Sequence, residues 1–186
     1  AHDSGPAWSP DGSRIAYDSN VAGTYDVWVM ADTGAKQQNL TNDAFYNLSP
    51  TWSPDGSLIA YIRADYDSGA SIWVSDIWAM GADGSDKFNV TPETGSSTEY
   101  QPDWSPDGSK IAFTSDRGGS DDVYTMNPKG GDVTNLTKSA ASNDSQPTWS
   151  PDGKQIAFLS DRGGTLNHLF VMAADGSNVR QLTDGS

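Results

Sequence analysis

Five residues ahead of each of four tryptophans stands a side chain with an oxygen to offer: Asp3, Asn47, Glu99 and Asp144. Three carboxylates and an amide at one recurring position suit a hard cation such as Ca²⁺, provided the repeats bring them together. A second acidic set, Asp65, Asp67 and Asp76, echoes positions 1, 3 and 12 of a calcium-binding loop. There Gly69 stands at position 5, Ala70 replaces the turn glycine and Asp76 replaces the bidentate glutamate. Two "SDRGG" segments, 115–119 and 160–164, carry Arg117 and Arg162. These arginines either pair with the adjacent aspartate to shape a turn or offer a cation to a ligand; the turn is the expected role. Tyr66 and Trp73, in the longest insertion of the chain, are candidate partner anchors, since aromatic side chains dominate interface energetics. Tyr100, beside Glu99, and His168 complete the binding candidates. Catalysis has few parts available: two histidines, no cysteine and no G-x-S-x-G elbow. No catalytic residue is therefore assigned, and no cofactor beyond Ca²⁺ is indicated.

The elements that must position these residues follow from repetition. "PAWSPDGSRIAYDS" at Pro6 returns as "PTWSPDGSLIAYIR", "QPDWSPDGSKIAFTSDRGG" and "QPTWSPDGKQIAFLSDRGG". The anchoring tryptophans, Trp8, Trp52, Trp104 and Trp149, are 44, 52 and 45 residues apart. That period belongs to propeller blades, and the short β-rich runs between Gly, Pro, Asn and Asp exclude helical repeats. Each repeat is predicted to contain four strands. Strand A ends in Trp-Ser, and strand B is "IAY" or "IAF". Strand C is "DVWVM", "DIWAM", "DVYTM" or "HLFVM", and strand D ends in "NLT", "NVT" or "QLT". The A–B joint is Ser-Pro-Asp-Gly every time, a type I turn closed by a left-handed glycine, so Asp11, Asp55, Asp107 and Asp152 are turn formers. The Asn of strand D falls in sequon-like triplets that the strand itself explains.

Step lengths locate the variable surface. Trp to the strand B aromatic is always 9 residues, and the strand C Met to the strand D Thr is always 11. The strand B aromatic to Met varies over 13, 19, 13 and 14, and Thr to the next Trp over 11, 13 and 12. Every insertion therefore falls in the B–C and D–A connections, which lie together at one end of an up-and-down blade. Binding function concentrates on such variable connections. From Thr183 through Ser186 and on from Ala1 to Trp8 the step is 11, so the ends could join as one more D–A connection. The first residue is Ala1, which suggests processing or excision.

A formal charge of −14 argues against nucleic acid and against an anionic membrane surface. No apolar run approaches the roughly 20 residues of a membrane span, and no leader is evident.

The pattern PxWSPDGxxIAFxSDRGG…DVYxMxxxGG…NLT resembles the TolB-type β-propeller repeat, also called PD40 or WD40-like. The resemblance implies an all-β propeller of four four-stranded antiparallel blades with strand A innermost, as one domain over 1–186. Its blades would cover approximately 1–43, 44–93, 94–138 and 139–186. It also places the set Asp3, Asn47, Glu99 and Asp144 near a channel mouth. Such propellers bind partner proteins in TolB, accompany peptidases, or carry the active site in oligogalacturonate lyases; they usually have six or seven blades. The expected function is a non-enzymatic scaffold presenting its B–C and D–A loops to a protein or small ligand. A hydrolase or lyase on the same fold, and a self-assembling half-ring pairing as a homodimer into eight blades, are the alternatives. The resemblance weakly favours a periplasmic or secreted setting.

Overall fold

The computed structural model describes residues 1–68, 72–92, 97–139 and 141–184, the side chains of residues 67 and 72 excepted. Each repeat becomes one four-stranded antiparallel sheet with its strands in chain order. The first holds β1 (Asp3–Trp8), β2 (Arg14–Ser19), β3 (Asp26–Ala31) and β4 (Gln38–Asn39). The second holds β5 (Tyr46–Trp52), β6 (Leu58–Asp67), β7 (Ile72–Gly81) and β8 (Phe88–Asn89). The third holds β9 (Glu99–Trp104), β10 (Ile111–Ser115), β11 (Asp122–Met126) and β12 (Thr134–Asn135). The fourth holds β13 (Asp144–Trp149), β14 (Gln155–Ser160), β15 (His168–Ala173) and β16 (Arg180–Gln181). Among the described residues there is no helix long and apolar enough to cross a membrane.

Local chemistry explains the sheets. In every A–B turn a serine hydroxyl and the next backbone amides converge on the turn aspartate; Ser9 donates to Asp11 at 2.6 Å and Ser105 to Asp107 at 2.6 Å. The following glycines have φ of 69 to 71°, where a side chain would be strained. Those donors hold the Asp11 and Asp107 carboxyls down to a pKa of about 2. Strand A bends at the residue three before each tryptophan, and Gly5, Ser49, Gln101 and Gln146 all have φ between 51 and 57°. The A–B pairing shifts register around that bend, as a β-bulge requires.

Strand C is tied to the end of strand D by a buried clamp. Asp122 accepts from Thr137 Oγ1 at 2.8 Å, Asn135 Nδ2 at 2.8 Å and the Ser139 amide at 2.9 Å. Asp26 repeats this with Thr41 and Asn39. The recurring Asn-x-Thr is thus half of a clamp. In the fourth sheet both halves change together, to His168 and Gln181, while Thr183 still accepts from the Leu169 amide at 3.0 Å.

The chain divides into two compact units, Ala1–Ser96 and Ser97–Ser186, each of two sheets. In the N-terminal unit, Ala16, Val27, Ile59, Tyr61 and Met80 form a core between the sheets. Trp52 closes it: its indole donates to the Ala7 carbonyl at 3.2 Å, and the Arg14 guanidinium lies 4.6 Å over its ring. In the C-terminal unit, Val123, Ile156, Phe158, Phe170 and Met172 form the core. There Asp103 accepts the Trp149 amide at 2.7 Å.

The insertion in the second repeat differs from the loop the sequence suggested. It lengthens β6 and β7 into a ladder of ten paired positions, from Leu58↔Gly81 to Asp67↔Ile72. Tyr66 and the run Ile72-Trp73-Val74, with no proline between them, favour strand over loop.

Candidate functional site

The extension of β6 and β7 sets Tyr66 directly opposite Trp73, their rings 5.6 Å apart and inclined at 61°. Tyr46, the first residue of β5, meets the other side of Trp73 edge-on at 5.1 Å and 89°. Tyr25, just ahead of β3, lies 6.4 Å from Tyr46, and His2, just ahead of β1, lies 6.3 Å from Tyr25. Five rings from four segments of the chain, two of them paired across the β6–β7 hairpin, thus form one strip at the B–C and D–A end of the N-terminal unit. It is open to solvent: Tyr46, Tyr66 and Trp73 are 38%, 47% and 52% exposed. Elsewhere in the second sheet Arg63 lies 3.7 Å from the Phe45 ring centre and 4.4 Å from that of Trp78, with its charge against Asp43 at 3.6 Å. Sequence reading found Tyr66 and Trp73 and missed the other three. A signal was present, because His2 and Tyr46 occupy the same repeat position, six before Trp, where the later repeats have Thr98 and Asn143.

In the C-terminal unit two groups of candidates are one feature. Glu99, fully buried, faces Arg117 Nη2 at 3.1 Å and accepts from Ser115 Oγ at 2.8 Å. Asp144, also fully buried, faces Arg162 Nη2 at 2.6 Å. Each guanidinium also lies over a stacked ring pair, Phe113 and Tyr124 for Arg117, Phe158 and Phe170 for Arg162. The arginines therefore do not pair with the aspartates beside them. Asp116 instead accepts the Thr98 amide at 2.7 Å, and Asp161 the Asn143 amide at 2.8 Å. Burial raises the Glu99 carboxyl above its usual range, with Ser115 and Arg117 opposing the shift.

In the N-terminal unit Asn47 is buried, its amide donating to Asp43 at 2.8 Å and to the Phe45 carbonyl at 3.3 Å. Asp3 is exposed at the start of β1. Asp65 and Asp76 lie on a regular ladder rather than a curled loop; Asp65 accepts the Tyr66 amide and Asp76 accepts from Asn89 at 3.0 Å. The Asp67 side chain lies outside the described residues. Among the described residues, no group of three or more His, Asp or Glu is gathered as metal ligands.

The other candidates lie apart from the strip's residues in the chain. Tyr100 donates its hydroxyl to Asp121, and burial together with that carboxylate raises its phenol pKa. His168 opens β15 opposite Ser160, half-buried. The strip can supply ring faces and edges to a partner's side chains. The arginine pairs stabilise their own sheets.

Residues 102–186 match the family model described as the TolB β-propeller domain, PD40. Over 129 residues, 69% of this chain, the sequence is 40% identical to the Tol-Pal system protein TolB of Bordetella pertussis, and it covers 28% of that relative. The crystal structure of TolB from Acinetobacter baumannii superposes on all of the chain with a TM-score of 0.81 at 26% identity, over 44% of its own length. A structure of putative TolB from Agrobacterium tumefaciens covers 94% of the chain at 28% identity, with a TM-score of 0.77 and 62% of its length. The chain thus spans less than two thirds of each.

Proposed function

We propose that this chain, which is built of TolB-type PD40 propeller repeats, is a non-enzymatic protein-binding scaffold that works from the B–C and D–A end of its sheets. The observation that carries this is the strip of His2, half-buried Tyr25, and exposed Tyr46, Trp73 and Tyr66, at the end where the repeats differ in length. Aromatic anchors of this kind supply most of the energy of protein interfaces. The likeness to proteins named as Tol-Pal system components supports a protein partner and a periplasmic setting. A photo-crosslinking residue in place of Trp73 tests the reading in the producing cell. A discrete protein adduct is expected from position 73 and none from Ser13, on the opposite end of the sheets. Equal labelling from both positions refutes the proposal.

One observation favours a second reading, assembly of copies edge to edge. Trp8 holds the repeat position of Trp52, yet it is 60% exposed where Trp52 is 6% exposed. The cover Trp52 receives from Ala7 and Arg14 is the kind of edge a second copy would bring to Trp8. Light scattering decides this: twice 19.8 kDa for wild type, falling to 19.8 kDa in Trp8→Ala, supports it, and a monomeric wild type excludes it.

A further inference from the structure

We infer that the aromatic strip of the N-terminal unit is a docking track for an extended, lysine- and arginine-rich segment of a partner protein, an inference that rests on the scaffold reading above. The chain shows the chemistry three times among its own partly buried residues. Arg63 sits over Phe45 and Trp78 with Asp43 as its counter-charge. Arg117 sits over Phe113 and Tyr124 with Glu99, and Arg162 over Phe158 and Phe170 with Asp144. A cation over a pair of rings, with a carboxylate alongside, is the recurring solution here, and both attractions strengthen as water is displaced.

The strip exposes rings at an end of the unit that also exposes carboxylates: Asp3 follows His2 and Asp65 precedes Tyr66 in the sequence, and both aspartates are open to solvent. Among the described residues, no lysine or arginine of the chain lies over any of the five rings. The surroundings suit an incoming cation too. Residues 1–96 contain thirteen Asp and Glu against four Lys and Arg, and two of those four, Arg14 and Arg63, are already spent on Trp52 and on Phe45 and Trp78.

Spacing selects an extended segment. Neighbouring rings lie 5.1 to 6.4 Å apart. Same-side side chains of a strand recur about every 6.6 Å, so alternate residues of an extended chain meet successive rings. A flat sugar platform fits less well, because Trp73 meets both Tyr46 and Tyr66 at steep angles, 89° and 61°.

The test uses the whole chain and a fluorescein-labelled twelve-residue peptide, (Arg-Ser-Lys-Ser)₃, beside its Gln-for-Arg/Lys counterpart, read by anisotropy at low salt. The basic peptide is expected to bind at least tenfold tighter than the Gln peptide. Trp73→Leu should weaken it at least tenfold, and Asp65→Asn several-fold. The pair Asp83→Asn/Asp86→Asn, which removes more charge from a turn at the other end of the sheets, should stay within twofold of wild type. Circular dichroism and Trp73→Phe, which retains a ring, separate lost contact from lost fold. If Asp83→Asn/Asp86→Asn weakens binding as much as Trp73→Leu does, the attraction is diffuse and the inference is overturned. If the Gln peptide binds equally and depends on Trp73, the cation is refuted while the scaffold reading stands. Absence of peptide binding also overturns the inference, and the crosslink from position 73 then judges the scaffold reading by itself.

Discussion

Replacing Arg162 with methionine removes the charge that a fully buried Asp144 faces at 2.6 Å. The methionine keeps part of the aliphatic stem but loses the guanidinium that lies over Phe158 and Phe170, so a second variant is needed to separate the ion pair from that contact. Losing one partner of a buried pair costs about 3–5 kcal/mol, because the remaining charge has neither water nor a counter-ion. Arg162 keeps 28% side-chain exposure, so some water reaches the site and the low end, about 3 kcal/mol, is expected. With a urea slope of about 2 kcal/mol/M, the unfolding midpoint of the full chain should fall by about 1.5 M. Adding Asp144→Leu removes the stranded carboxylate, and the double variant should return to within about 1 kcal/mol of wild type. The decisive quantity is the coupling between the two changes, expected at about 2 kcal/mol or more. A loss below about 1 kcal/mol in Arg162→Met, or a double variant no more stable than the single, refutes the claim that Asp144 is held by its arginine.

Gly5→Ala should cost about 2 kcal/mol in urea melts: its φ is 57°, and an added Cβ would lie 2.5 Å from the Asp18 carboxylate oxygen that receives the Ser49 amide. Trp52→Ala should cost about 3–5 kcal/mol, whereas Trp8→Ala, at the same repeat position but exposed, should cost under about 0.5 kcal/mol in the monomer. Acid melts should expose the turn aspartates. Asp11 and Asp107 have folded pKa values of about 2 against 3.8, so their contribution is complete above 3.8 and is lost as pH falls from there through 2. Asp107→Asn should lower Tm at pH 6 and flatten its fall between pH 4 and 2; an unchanged acid limb in that variant would show that other carboxylates set it. EDTA should leave Tm within about 1 °C, because only an ion bound to the native chain raises it, and a larger drop would restore Asp3, Asn47, Glu99 or Asp144 as ion ligands.

Strand order and hairpin register were legible because they are set by neighbours in the chain. Ser-Pro-Asp-Gly closes a turn whatever lies beyond it, and a constant 9-residue step places Trp104 beside Ile111 and Phe113 in any such hairpin. The variable end was legible for the same reason, since only the B–C and D–A steps change. Less legible was the form of the 62–75 insertion. Its aspartates suggested an ion-binding loop, but Asp65, Tyr66 and Asp67 instead pair with Val74, Trp73 and Ile72 across a two-stranded ladder.

What the sequence determined by itself is therefore the four repeats, their strands and turns, and the end at which they vary; periodicity of 2 and tight-turn chemistry act over a few residues. Tertiary structure alone decided the partners. Arg117 reaches past Asp116 to Glu99, and Arg162 past Asp161 to Asp144, each eighteen residues back, because strand pairing brings those carboxylates under the ring pairs. His2, Tyr25, Tyr46, Tyr66 and Trp73 become one surface only when two sheets align their ends. Tyr66 and Trp73 meet within one hairpin, but no local pattern encodes that Tyr46, Tyr25 and His2, from other connections, will join them.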